Sequence, residues 1–352
     1  MNAVQSSAEG PVLAVDLGGT QIRAALVTPD LDLHCRRAVE TRDEEGVDAV
    51  LARINDVAAE VRADARQQGL PEPVAMGLSS PGPLDPWRGI VLDPPNLRGW
   101  EDVPIVDRLS TSFDLPIYLE RDTNVAIMAE WRHGVARDTR NSAYITVSTG
   151  IGGSAVIGGR PLVGTHGTAG ELGHITVELD GPRCGCGGIG HVEAIASGTA
   201  LAREGARSAT ERPDSILARL AAGADKIDAE LVARAAEEGD EPSQGMLDRA
   251  FVAIGALCAS LVNVLDPEVI IIGGSIAEHQ PRLFDVVQRE IQRRAFPLLH
   301  GEVRIEEPAF GGDVSLVGAL PIVNERIGDP AYASGSHRPP QAVSQQQGAH
   351  RP

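Results

Sequence analysis

Lysine is nearly missing from this chain: of its 31 basic residues only Lys226 is not arginine. Against those stand 49 acidic residues, and the formal net charge is −18. So acidic a chain lacks the basic face needed to neutralise phosphates, which excludes nucleic acid as the expected partner. Four cysteines are too few for a disulfide framework, although Cys184 and Cys186 stand one residue apart. No apolar run approaches the length of a membrane span. Met1–Gly10 has neither a basic stretch nor an apolar core, so no secretory signal is expected, and a cytoplasmic protein is the simplest reading. What is present, 352 residues of which 42% are hydrophobic and 23% charged, is enough for two domains with separate cores.

The string GxxxxGK[ST] of strand-turn-helix phosphate loops is also missing. In its place Val12–Val27 reads as strand, glycine turn, strand. Val12–Leu17 is a nearly continuous apolar run; Ile22, Ala24 and Leu26 then alternate with Gln21, Arg23 and Ala25. Gly18 and Gly19 permit a tight turn and close backbone approach, Thr20 adds a hydroxyl, and Asp16 can orient a hydrated Mg²⁺. Alone, this is either an ordinary hairpin or a phosphate clamp. Ala143–Ile157 repeats the plan, with Ser148-Thr149-Gly150-Ile151-Gly152-Gly153 at its turn. Two matched hairpins imply a duplicated architecture holding a nucleotide between its halves.

Between the hairpins, the three- and four-residue spacing of Val47, Val50, Leu51, Ile54, Val57 and Val61 predicts a helix over 46–70. A strand is expected at 74–78, a turn through Ser80-Pro81-Gly82-Pro83, a loop at 93–100 holding Asn96, a strand at 116–119, and a helix from about Asp122 to 135. Helices are expected between His191 and Asp266, one of them over 247–265, then a strand at 268–272 ending in Gly273-Gly274. A helix at 281–295, a strand at 303–306 and a helix at 314–326 complete the pattern. From Tyr332 onward the polar composition reads as a disordered tail.

Three constellations can carry chemistry. Asp122 reads as an N-cap, as a general base against a substrate hydroxyl, or as both. Cys184, Cys186 and His191, with His174 folded back, supply four soft or borderline ligands suited to tetrahedral Zn²⁺; otherwise they are free thiols and surface histidines. Glu171 and Glu193 flank that set as hard oxygen donors, better suited to sugar hydroxyls. Gly273-Gly274 after a buried strand can lie against a base or ribose, or be a plain turn.

Together these residues resemble the ROK family (repressors, open reading frames and sugar kinases) within the actin-like ATPase superfamily. The resemblance runs from Pro11 to Gly328 and rests on Asp16-Leu-Gly18-Gly19-Thr20, Ser148–Gly153, Pro81-Gly82-Pro83, Asn96-Leu97, Glu171-Leu-Gly-His174 and Cys184-Gly-Cys186-Gly-Gly-Ile-Gly-His191-Val-Glu193. It implies a two-domain α/β actin-like (ribonuclease H-like) fold with duplicated hairpin phosphate motifs and an interdomain cleft. Residues 1–10 would be an extension, 11–135 a small domain rejoined by 313–328, 136–312 a large domain with the zinc loop, and 329–352 a disordered tail.

The resemblance further implies ATP-dependent phosphorylation of a hexose hydroxyl, glucose foremost, with another hexose or an N-acetylhexosamine as the alternative. Asp122 would be the base. Gly82, Asn96, Asp122, Glu171, His174 and Glu193 would bind sugar; Asp16, Gly18, Gly19, Thr20, Thr149, Gly150, Gly152, Gly273 and Gly274 would bind ATP with Mg²⁺. His174, Cys184, Cys186 and His191 would hold a structural zinc, His174 facing the sugar with its second nitrogen. A homo-oligomer is expected. Family members that are repressors carry a helix-turn-helix ahead of the first motif; about ten residues precede it here, so that reading is set below the kinase. Two departures stand out. His191 replaces a zinc cysteine, and Arg121 replaces the asparagine before the catalytic aspartate. That arginine either turns away from the pocket or fits a different, more anionic sugar.

Overall fold

The computed structural model describes residues 10–299 and 301–332, so the expectations for the first nine residues and for the tail beyond Tyr332 lie outside the described residues. The chain divides into two units. One holds the residues up to Val125, His166–Thr168 and those from Ser315 onward; the other holds Ala126–Thr165 and Ala169–Val314.

In the first unit β1 (Val12–Leu17) and β2 (Gln21–Val27) form the expected hairpin, with Asp16 opposite Arg23 and Leu17 opposite Ile22. A third strand, β3 (Leu33–Glu40), pairs with β2 and was not foreseen. It is an edge strand with mostly exposed side chains, so it shows no apolar alternation to read. Then come α1 (Val47–Gln67), β4 (Ala75–Ser80), the short pair β5 (Leu84–Asp85) and β6 (Ile90–Val91), α2 (Ile105–Ser110), β7 (Ile117–Arg121) and the start of α3 (Asp122–His133), whose residues from Ala126 onward count with the other unit. The sheet order is β3-β2-β1-β4-β7, and β1, β4 and β7 run parallel. Leu13, Val15, Leu17, Met76, Leu78 and Leu119 form one core with the buried faces of α1 and α2. The parallel register sets Asp16, Ser79 and Glu120 in one row at the carboxyl ends of the three strands.

The second unit repeats this plan. β8 (Ser142–Val147) and β9 (Ile151–Ile157) make the second hairpin and β10 (Arg160–Pro161) extends it. The helices α4 (Glu193–Ala196), α5 (Gly198–Glu211), α6 (Ile216–Ala221), α7 (Ala229–Glu237) and α8 (Glu241–Leu265) precede β11 (Val269–Gly273). α9 (Ser275–Glu278), α10 (Arg282–Arg294) and β12 (Arg304–Glu306) follow. The order is β10-β9-β8-β11-β12, with β8, β11 and β12 parallel. By length and composition α8 passes for a membrane span, its most apolar window having a mean hydropathy of 1.6, which corrects the expectation that no run approaches that length. Its Phe251, Ile254, Leu257, Leu261 and Val262 are instead buried in the core beneath β8 and β11.

The last helix is two pieces, α11 (Val314–Val317) and α12 (Ala319–Arg326). Gly318 separates them where a Cβ would lie 2.1 Å from the Val125 carbonyl oxygen. α12 packs on β1, β4 and β7. Gly77 admits it: a Cβ there would sit 2.7 Å from that of Ala319.

Candidate functional site

The first turn is fixed from several sides. Gly18 N–H donates to the Gln21 carbonyl at 2.9 Å, Thr41 Oγ1 donates to the Gly18 carbonyl at 2.6 Å, and Thr41 N–H donates to the Thr20 carbonyl at 2.8 Å. Thr41 follows the unforeseen β3, which is why sequence reasoning passed over it. Gly19 is needed for contact: a Cβ would lie 2.9 Å from the Asn96 carbonyl oxygen, so the loop carrying Asn96 rests directly on the turn. Asp16 is 7% exposed, and Arg23 holds its Oδ2 through Nε at 3.1 Å and Nη2 at 2.6 Å. Its neighbour in the row, Ser79, is buried and its hydroxyl has no hydrogen-bond partner among the described residues. Gly82 lies in the turn beyond β4.

Asp122 is the first residue of α3, half-buried, with Oδ1 accepting the Thr123 N–H at 2.7 Å. Strand β7 therefore delivers it to the same sheet end as Asp16, since both parallel strands stop there. Arg121 is 4% exposed, and its Nη2 donates to Asn124 Oδ1 at 3.3 Å.

In the second unit the turn at Ser148–Gly150 is gripped by the start of α5. Gly198 N–H donates to the Ser148 carbonyl at 2.8 Å, and Thr199 reaches the Thr149 carbonyl with N–H at 3.1 Å and Oγ1 at 2.9 Å. Glu193 Oε2 accepts the Ile151 N–H at 3.0 Å, and a Cβ on Gly150 would lie 2.9 Å from that oxygen. Gly152 pairs with Thr146 in the ladder. Gly273 lies opposite Thr146 on the other side, and Gly274 has φ +94° with no room for a Cβ, which would stand 2.6 Å from the Val147 carbonyl. Both glycines thus border the second turn.

His174, Cys184, Cys186 and His191 are brought together with all four ligand atoms within 4.8 Å of one another. Cys184 Sγ is 3.7 Å from His174 Nδ1 and Cys186 Sγ is 3.3 Å from His191 Nδ1. Sulfur and nitrogen ligands on a tetrahedral Zn²⁺ stand roughly 3.6 Å apart, so the donor set fits zinc in type and in span. Burial, first of all, pushes the Cys184 thiol up to about 11, and a bound cation would draw off that proton. His174 Nε2 faces the exposed Glu171 at 4.0 Å, leaving Nδ1 toward the thiols. Glu193 Oε1 stands 3.6 Å from Cys184 Sγ, so one carboxylate touches both this cluster and the second turn. Gly173 allows that closeness, since a Cβ would meet the Ile151 carbonyl at 1.9 Å.

Known proteins resemble this chain along most of its length. Glucokinase of Thermotoga maritima is 33% identical over 317 residues, spanning 90% of this chain and 98% of that one. N-acetylmannosamine kinase of Salmonella typhi is 33% identical over 310 residues, spanning 87% and 96%. A ROK family glucokinase from Streptomyces griseus, solved in complex with glucose and AMPPNP, superposes with a TM-score of 0.75 at 30% identity, covering 88% of this chain and 98% of that one. The duplicated strand order is that of the actin-like ATPase fold. With the ROK family model matched across residues 12–326, the chain belongs to the ROK family.

Proposed function

We propose that this protein transfers the γ-phosphoryl group of ATP to a hexose hydroxyl, converting glucose to glucose 6-phosphate, with Asp122 as general base. The observation that carries the reading is the 33% identity to a glucokinase along 98% of its length. Asp122 would take the hydroxyl proton as the oxygen reaches the γ-phosphorus through a loose transition state. Gly82, Asn96, Glu171, His174 and Glu193 would bind sugar hydroxyls, as the family resemblance implies.

The backbone of Gly18, Gly19 and Thr20, and that of Thr149, Gly150 and Gly152, would cradle phosphates, with Gly273 and Gly274 on the nucleoside side. Mg²⁺ would neutralise charge on the transferring phosphate. Asp16, whose Oδ2 is bonded to Arg23, would orient the hydrated ion. Zn²⁺ would be structural, with His174, Cys184, Cys186 and His191 filling all four positions. ATP as co-substrate fits a cytoplasmic location.

An N-acetylhexosamine is the second reading, favoured by 33% identity to an N-acetylmannosamine kinase over 310 residues. An ADP-release assay over glucose, mannose, fructose, allose, N-acetylglucosamine and N-acetylmannosamine separates the two. Glucose should give the highest kcat/KM; preference for an acetylated sugar selects the second reading, and no turnover of any overturns both.

A further inference from the structure

We propose that Glu120 and Arg326 form a buried clamp that positions Asp122, making both positioning residues for phosphoryl transfer. The inference rests on Asp122 being the base. Asp122 sits where strand β7 becomes helix α3, so its place depends on the strand end, on the backbone dihedrals either side of the 121–122 peptide and on the first helical turn. Glu120 ties down all three. Its Oε1 accepts the Arg121 N–H at 2.8 Å and Asn124 Nδ2 at 2.9 Å, bracketing Asp122 on both sides, and its Oε2 is bonded to Arg326 Nη2. Arg326 Nη1 donates to the Leu119 carbonyl at 2.7 Å, so one guanidinium grips two successive residues of the strand.

The network is dry. Glu120 and Asn124 are each 3% exposed and Arg326 is 6% exposed, with the Tyr332 ring centred 4.3 Å from the guanidinium carbon. A buried ion pair is poor value as a source of stability, because apolar residues of equal volume commonly do as well. What it supplies here is direction: a planar fork with fixed donors holds the strand end at a set angle. The clamp comes from the last helix, some 200 residues later in the chain, and joins the strand that carries the base. A general base misplaced by about 1 Å loses roughly a hundredfold in rate.

The test uses the full-length protein with ATP and glucose, following ADP release. Arg326→Lys keeps the charge and loses the fork; Glu120→Gln keeps the shape and loses the charge. Both should lower kcat roughly 10- to 100-fold while KM for ATP stays within about twofold. In an Asp122→Asn background neither should lower the residual rate further, because the clamp acts only through that carboxylate. A role in stability alone would lower the melting temperature and leave kcat per folded molecule unchanged.

Should the single variants fail to fold, Glu120→Met combined with Arg326→Leu removes both charges together and must show the same loss of kcat. Wild-type kcat in any folded variant overturns the clamp, as does an equal loss with Asp122→Asn. Full activity of Asp122→Asn alone overturns the reading of Asp122 itself, a result separable from failure of the clamp.

Discussion

The two units share one strand order, yet their corresponding turns are built differently. In the first, the last ladder pairs before the turn are Asp16 with Arg23 and Leu17 with Ile22; in the second they are Thr146 with Gly152 and Val147 with Ile151. A charged pair in one half is a hydroxyl and a glycine in the other. The first turn rests on backbone, the Asn96 carbonyl and Thr41; the second is held by the Glu193 carboxylate and the start of α5. The scaffold is the same in both and the side chains at its turns are not. On the proposed reading the carboxylates at the sheet end of the first unit would do the cation and proton work, and the second unit would supply a backbone cradle that Glu193 links to the Cys/His cluster.

If that division holds, Asp122→Asn has the largest effect: kcat falls by about 10²–10⁴-fold, with nucleotide affinity unchanged. Retained activity would remove the first unit's claim to proton transfer. Next comes the metal cluster. Protein purified without added metal should carry about one zinc per chain, and Cys184→Ser should lose the metal and at least about tenfold in activity. Less than half an equivalent of zinc in the native protein breaks the contrast between the units.

The glycines discriminate more finely. Gly19→Ala drives a methyl against main chain, at a strain of about 1–3 kcal/mol, and should raise KM for ATP roughly tenfold. Gly150→Ala meets a side chain that can swing aside, so the rise should be only about threefold. Equal effects would mean that both turns are equally rigid.

The smallest effect tests stability away from either turn. Asp240 caps α8, accepting Ser243 N–H at 3.1 Å and Ser243 Oγ at 2.7 Å, and also accepts Ile216 N–H at 2.9 Å. Burial works to raise its pKa, but the hydrogen bonds from Ser243, Leu217 and Ile216 outweigh it and leave the carboxyl below its ordinary value. A depressed carboxylate stabilises the native state above its unfolded pKa and ceases to do so as pH falls through the folded value. Asp240→Ala should therefore cost about 1–2 kcal/mol at neutral pH by thermal or urea unfolding, a penalty that shrinks below about pH 4. A penalty independent of pH would assign the loss to packing rather than to the cap.

Both hairpins, α1, β4, β7, α3, β11, α10 and β12 follow the period of their apolar residues, and the four metal-type ligands were legible from composition and spacing. β3 was not, because an edge strand need not alternate. The break at Gly318 was hidden too, since helical spacing continues through it while only the approach of Val125 demands a glycine. The resemblance left Arg121 as a choice between turning away and reshaping the sugar pocket. That it is buried and that its Nη2 meets Asn124 Oδ1 are tertiary facts which no pattern in the chain encodes.

The sequence by itself determined the duplicated hairpins, the glycine turns, Asp122 at the head of a helix and a Cys/His set of zinc type, because each is a local matter of period, backbone freedom or donor chemistry. Only the tertiary structure decided that Asp16, Ser79 and Glu120 share a row, that Glu193 links the second turn to the thiols, and that Arg326 closes on the strand leading to Asp122. Those contacts join residues far apart in the chain, and it is sheet register and close packing, not neighbouring sequence, that bring them within hydrogen-bond reach.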